Sequence, residues 1–342
     1  MSYTDTVFIQ HTAQFTALNL PPLAQWHQHY DGILITGPTA SGKSALSMYL
    51  ASLQASSIIS VDSALVYKKM DIGTAKPNIV EQSLVPHYLL DLIEPTESYS
   101  VAQFLLDTTQ AIVDCQNQGR LPILVGGTMM YVNALYQGLN ELPMIDTVQR
   151  SLIVARANKY GWAALHTELT QLDPMTAARL SPNDAQRIER ALSVVLSTGL
   201  PLSHWLAQSK SSRPLIKHHT IQFNEGINEG ASLLNRCLHI SIEPEKLLLW
   251  QRIEQRFDNM LNNGFLDEVT ALMQRGDLSL NLPSMRCVGY RQAWQYFEAL
   301  QNAQLPAYSL NHLRERSVIA TRQLAKRQMT WLRQMPQRLI LN

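Results

Sequence analysis

The chain has 342 residues, 46% of them hydrophobic and 16% charged, with a formal net charge of +1. That length suits about two domains with a sizeable core, and the composition excludes a chain disordered throughout. No run of about 18 apolar residues occurs, so a membrane-spanning helix is excluded, and the opening MSYTDTVFIQHTAQF lacks a basic and apolar signal pattern.

Cys115, Cys237 and Cys287 are odd in number and scattered, without a C-x-x-C pair. Neither a disulfide framework nor a zinc site is indicated, and a reducing, cytoplasmic setting is expected.

Residues 1–30 read as a variable leader, polar and then marked by Pro21-Pro22. Strand-like runs follow: GILIT from Gly32, IISV at 58–61, YLLDLI at 88–93 and LPILVGG at 121–127, each separated by helical sequence. Such alternation predicts an α/β fold, a parallel sheet flanked by helices on both faces. Residues 31–143 form the first part of this core. From 144 to 208 the pattern is helical only, with helix starts at Asp173-Pro174 and Ser181-Pro182-Asn183-Asp184 and a stop at Thr198-Gly199. An all-α insertion domain is expected there. Residues 209–342 carry a polar stretch to about Leu234, the strand CLHISIE, and long helices from about Glu245, interrupted at Gly264, Gly276 and Pro283. No internal repeat or low-complexity run is visible.

The first strand-like run leads into Gly37-Pro38-Thr39-Ala40-Ser41-Gly42-Lys43-Ser44, which fits G-x-x-x-x-G-K-[ST] at every fixed position. A helical run follows, as this phosphate loop requires. Its amides and the positive end of the next helix converge on phosphate oxygens, Lys43 supplies a point charge, and the Ser44 hydroxyl can bind Mg²⁺.

In open parallel sheets ligands bind beyond the carboxyl ends of the strands. Asp62 stands at the end of IISV, and Gly126-Gly127-Thr128 at the end of PILVGG. Asp62 has three readings: a general base, a metal-organising acid, or a structural cap turning on Ser63. The last thirty-two residues carry Arg314, Arg316, Arg322, Lys326, Arg327, Arg333 and Arg338 against Glu315 alone, a local charge of +6. A basic face for an anionic partner is expected there.

GPTASGKS, DSALVYKKMDIGTAKP, PHYLLD, VGGTMMY, PNDAQRIERAL, RCVGYRQ and TRQLAKRQMTWLR occur in one order and spacing. In that order the chain resembles the bacterial tRNA dimethylallyltransferases, also called isopentenyl-tRNA transferases, from about residue 32 to 335. The resemblance implies a P-loop NTPase-like core with a helical insertion and long C-terminal helices. It also implies transfer of a dimethylallyl group from dimethylallyl diphosphate to N6 of the adenosine 3′ to the anticodon in tRNA, with Mg²⁺ as cofactor and a monomeric enzyme.

By the same resemblance Asp62, Thr128 and Lys43 are catalytic, while the loop Gly37 to Ser44 and Arg256 bind diphosphate. The tRNA would be held by Asp62, Ser63, Ala64 and Leu65; by Arg150, Gln186, Arg187, Ile188, Glu189 and Arg190; by Arg286, Cys287, Val288, Gly289, Tyr290 and Arg291; and by Lys326, Arg327, Trp331 and Arg333. An adenine must leave its stack to react, so stacking and base-edge contacts are expected. His87 and Tyr88 read as satisfied core residues. Departures from the family pattern are a long leader, extra sequence at about 209–234, and Met129 where a small residue is common.

Two competitors share part of this reading. A small-molecule P-loop kinase would use the loop and core but not the basic helices. A nucleotide-gated RNA-binding protein would use both, without needing Asp62 and Thr128 at strand ends.

Overall fold

The computed structural model describes residues 20, 22–139, 142–143, 147–208, 215–218, 233–302, 309–335 and 338–341. Most of the expected leader and most of the 209–234 segment therefore lie outside the described residues. The described residues form two compact units, one drawn from 1–136 and 214–342 and the other from 137–213.

The first unit is built on a parallel sheet. Its strands are β1 (Gly32–Thr36), β2 (Ser56–Val61), β3 (His87–Tyr88), β4 (Leu121–Gly126), β5 (Ile216–His218), β6 (Leu234–Ile242) and β7 (Leu339–Leu341), in the order β3-β2-β4-β1-β6-β5 with β7 also on β6. Every pairing is parallel.

Helices cover the sheet, α4 (Met129–Gln137) among them, and the short α2 (Ile79–Leu84) precedes β3, so the strands are apolar on both faces, as parallel sheets require. Ile33, Ile35, Ile123 and Val125 pack into one cluster with Leu46 and Leu50 of α1 (Lys43–Leu53); Leu34, Ile59, Val61 and Leu124 face the other, with Phe104 and Ile112 of α3 (Val101–Asn117). Burying each such side chain contributes about 1.5–3 kcal/mol. Within residues 22–30, Trp26 and Tyr30 are buried and pack among α1 and the strands.

One expectation about strands is corrected. YLLDLI is not a strand beyond Tyr88: Leu89 (φ 63) and Asp91 (φ 52) adopt left-handed conformations that end the extended run. The Asp91 carboxylate instead accepts from Lys76 Nζ at 2.6 Å. In the sheet β4 lies between β1, which leads into the phosphate loop, and β2, which ends at Asp62.

Register brings the strand ends level. Thr36 pairs with Gly126, and Gly126 with Val61, so the phosphate loop, Thr128 and Asp62 leave the sheet along one edge. Close approach at Gly126 fixes this alignment, because a Cβ there would lie 1.9 Å from the Val61 carbonyl oxygen. The clash is with backbone, which cannot rotate away. Gly126→Ala is expected to destabilise the first unit by about 3 kcal/mol or more, read as a lower urea midpoint; an unchanged midpoint would contradict the alignment.

After β6 come α10 (Lys246–Asn262), α11 (Phe265–Gln274), α12 (Tyr290–Gln301) and α13 (Leu310–Leu332). They enclose their own core of Leu249, Ile253, Phe257, Phe265, Tyr290 and Val318, onto which Val66, Tyr67 and Met70 pack.

The second unit is helical: α5 (Thr147–Tyr160), α6 (Trp162–Leu172), α7 (Pro174–Ala177), α8 (Ala185–Thr198) and α9 (Leu202–Gln208). Its starts follow the capping chemistry in the sequence. Asp173 Oδ1 accepts from Thr176 N, Asp184 caps α8, and Gly199 ends α8 with φ 72.

Candidate active site

The phosphate loop lies between β1 and α1. Ala40 takes φ 63 and Gly42 φ 101, the left-handed turns that point successive amides into one concavity. Gly37 must be glycine, since a Cβ would meet Ile242 O at 2.5 Å and Ser41 Oγ at 2.7 Å. Helix α1 starts at Gly42 with no side-chain cap, leaving its first amides to face the concavity. Arg252 Nη1 donates to Ser41 O at 3.2 Å and holds the loop from α10. Inside it, the Ser41 hydroxyl is buried with no partner, an orphan that an anion's oxygen would satisfy.

A cavity of about 590 Å³ opens onto this loop. Thr39, Lys43, Ser44, Asp62, Thr128 and Arg256 line it, as do Ser63, Ala64 and Leu65, the Gly126-Gly127 turn, and the run from Arg286 to Gly289. On α13, Arg327, Gln328 and Trp331 form a further wall. Trp331 is 45% exposed, so its ring is available to a planar partner.

The charged groups act on one another here. Burial lowers the Lys43 ammonium to about 8, with the Asp62 carboxylate pulling it back up and the Arg256 guanidinium pushing it down. Its Nζ donates to Pro38 O at 2.8 Å. Burial also lowers Arg256, which Asp62 opposes, and Arg256 Nη2 donates to Thr74 O at 3.0 Å. Burial, then the Asp62 charge, pushes the Cys287 thiol up to about 12, so it stays protonated.

Lys43 therefore gives a pH prediction with a definite sign. Above about pH 8 the free protein loses this cation, so apparent affinity for an anionic ligand is expected to fall by about tenfold per pH unit. Lys43→Arg keeps the charge and should flatten the profile; a wild-type profile level to about pH 9.5 would contradict it.

Asp62 Oδ1 accepts from Ala64 N at 2.9 Å, so the carboxylate does make the expected local turn. The geometry leaves Oδ2 outside that bond. Thr128 Oγ1 accepts from Ser63 N at 3.0 Å and donates to Ser63 Oγ at 3.2 Å, tying the ends of β4 and β2 together.

Several expected contacts are corrected. Tyr290 is fully buried, with its hydroxyl donating to Glu268, and Ile188 is fully buried in the helical core, so neither side chain is a surface contact. The +6 terminal charge is not all a face: Arg314 pairs with Asp258 and Glu254, Arg322 with Glu254, and Arg338 with Glu243. Lys326, Arg327 and Arg333 are exposed, as are Arg286 and Arg291 near α12. In the helical unit Gln186 and Arg187 are exposed, Arg150 pairs with Glu189 at 2.6 Å, and Arg190 Nη2 donates to Pro143 O. His87 is half-buried and Nδ1 meets Val85 O at 2.7 Å, a satisfied residue away from the cavity.

Three supporting residues escape a motif reading. Arg252 sits one turn before Arg256 on α10, a spacing that places both on one face. Gln328 occupies the apolar stripe Ala325, Gln328, Leu332 of α13, where a buried amide needs partners. Glu268 accepts from the amides of Asp71, Ile72 and Gly73, fixing the segment whose Thr74 carbonyl holds Arg256.

Among the described residues no group of three or more His, Cys, Asp or Glu could hold a metal. Ser44 lines the cavity beside Asp62, so a hard divalent ion would take oxygens from Ser44 and from its own phosphate ligand. That donor set fits Mg²⁺, which keeps several waters and binds through few protein groups.

A parallel sheet ending in a phosphate loop, with a threonine and an acid after the next two strands and a charged cavity between them, defines a protein with the P-loop NTPase-like fold. The chain belongs to the IPP transferase family, whose model matches residues 65–335. It is 48% identical over 309 residues to a tRNA dimethylallyltransferase of Paraburkholderia phytofirmans, covering 90% of this chain and 91% of that one. A tRNA dimethylallyltransferase of a Polaromonas species is 49% identical over 312 residues, covering 90% of each. The crystal structure of a tRNA isopentenylpyrophosphate transferase from Bacillus halodurans matches with a TM-score of 0.59 at 33% identity, over 90% of this chain and 88% of that one. A eukaryotic dimethylallyltransferase acting on tRNA, 24% identical over 91% of this chain and 73% of that one, shares the fold with a TM-score of 0.70.

Proposed function

We propose that this chain transfers a dimethylallyl group from dimethylallyl diphosphate to N6 of the adenosine 3′ to the anticodon in tRNA, releasing diphosphate. One observation carries the chemical part: a single cavity joins the phosphate loop, Lys43 and Arg256 to Asp62, Thr128 and the Trp331 wall of α13. A leaving group that gathers negative charge sits where cations and amides converge, and a carboxylate faces the acceptor.

The allylic C–O bond breaks with its electron pair going to the diphosphate oxygen. The adenine N6 forms the new C–N bond with its lone pair, and its proton passes to the Asp62 carboxylate, which has an oxygen beyond the Ala64 turn. Lys43, Arg256, the loop amides and the Ser41 hydroxyl bind the diphosphate; Thr128 orients it or its bridging oxygen. Mg²⁺ held by Ser44 and the diphosphate would add charge neutralisation. Trp331 and Arg327 offer stacking and phosphate contacts to a flipped nucleotide.

Incubation with unmodified tRNA, labelled dimethylallyl diphosphate and Mg²⁺ tests this. After digestion, one adenosine should carry a dimethylallyl group in place of an N6 hydrogen; unlabelled tRNA after prolonged incubation would overturn the reading.

A further inference from the structure

Gln328 has an arrangement that neither the motif nor the reaction chemistry calls for. It lies on α13, is 9% exposed, and both ends of its amide are bonded across the cavity wall. Its Oε1 accepts from Thr39 N of the phosphate loop at 2.9 Å. Its Nε2 donates to Gly127 O, beside Thr128, at 2.8 Å. Three elements thus meet at one side chain: the loop after β1, the turn after β4, and the helix that carries Arg327 and Trp331.

Packing enforces the contact. A Cβ on Gly127 would sit 2.6 Å from Gln328 Nε2, so glycine at that position makes room for the amide. The Thr39 N–H is also committed to Gln328, so this loop amide is fixed by a side chain of α13.

We propose that Gln328 is a positioning residue: it clamps the phosphate loop to the Gly126-Gly127-Thr128 turn and so sets the separation between the diphosphate cradle and the groups that receive the adenine. This rests on the transfer reading above. The amide is suited to the task because it donates at one end and accepts at the other, and its neutral charge does not compete with the anion. Only that polarity fits, since one partner is an N–H and the other a carbonyl. Rate depends steeply on such spacing, with about 1 Å of misplacement costing about a hundredfold.

Two variants test it. Gln328→Met keeps length and apolar volume but makes neither hydrogen bond. Gln328→Glu keeps the acceptor for Thr39 but, when ionised, sets a carboxylate oxygen against the Gly127 carbonyl. Protonation of that buried carboxyl restores an O–H donor. Lys43, Asp62, Arg256, Arg286, Cys287 and Arg327 line the same cavity, and Gln328→Met, which adds no charge, is the control for their titration.

The measurement is kcat and KM for both substrates across about pH 6 to about pH 8, with thermal melting and active-site titration by labelled diphosphate substrate. Expected are a kcat about tenfold to a hundredfold lower in Gln328→Met, a tRNA KM within about twofold of wild type, and a Gln328→Glu to wild-type rate ratio that rises toward acid pH while the Gln328→Met ratio stays flat. Wild-type kcat in either variant, a loss explained by a smaller active fraction, or a Gln328→Glu ratio that does not change with pH would overturn it. Should Gln328→Met fail to fold, the pH dependence of Gln328→Glu decides alone; should both fail, the side chain is structural and the proposal falls. Absence of product with the wild-type protein would instead count against the transfer reading.

Discussion

Asp62→Asn is expected to fold normally, bind both substrates with near wild-type KM, and lose about a thousandfold in kcat, or about 4 kcal/mol of transition-state stabilisation. Asparagine isolates the base from the cap. It keeps an Oδ1 for the Ala64 amide, bonded at 2.9 Å, so the turn after β2 survives. What it loses is the capacity to take the N6 proton. A metal-organising acid would show the opposite split, with the diphosphate KM rising and kcat at saturation changing little. A purely structural cap would leave both constants untouched. Steady-state kinetics with each substrate varied in turn separates the three.

Lys43→Met should act on the leaving group. Removing one preorganised cation from a low-dielectric site is expected to lower kcat/KM for dimethylallyl diphosphate by about a hundredfold to a thousandfold, while tRNA binding in the absence of diphosphate changes less than about twofold. Burial lowers this half-buried ammonium to about 8, and it lines the cavity beside the loop amides. Methionine fills the space without the charge. An equal loss of tRNA affinity in the variant would place Lys43 at the nucleic acid instead.

The parts of the site that are contiguous in sequence were legible there. Gly37 to Ser44 declares its turn, amides and cation within eight residues, and the runs ending at Val61 and Gly126 reveal strand ends by composition alone. Strand order was not legible, because nothing local says that β4 inserts between β1 and β2. YLLDLI misled for a similar reason. Its apolar residues satisfy the loop that bonds Asp91 to Lys76, and left-handed Leu89 leaves no mark in hydrophobicity.

The terminal charge shows what a count misses. Arg314 and Arg322 are indistinguishable from Arg327 in sequence, yet the first two face Asp258 and Glu254 on α10 and only Arg327 faces the cavity. Gln328 and Glu268 stayed hidden because the backbone groups they bond lie 195 to 289 residues away. Tyr290 looked like part of a recognition turn and is a core residue anchored to Glu268.

The most direct test of the central claim asks what the phosphate loop holds. Transfer rates should be measured with tRNA, dimethylallyl diphosphate and Mg²⁺, with and without ATP, and with inorganic diphosphate as competitor. Full transfer is expected without ATP, with diphosphate inhibiting competitively against dimethylallyl diphosphate. A requirement for ATP, or ATP hydrolysis coupled to each transfer, would contradict the assignment of Lys43 and its loop to the leaving group.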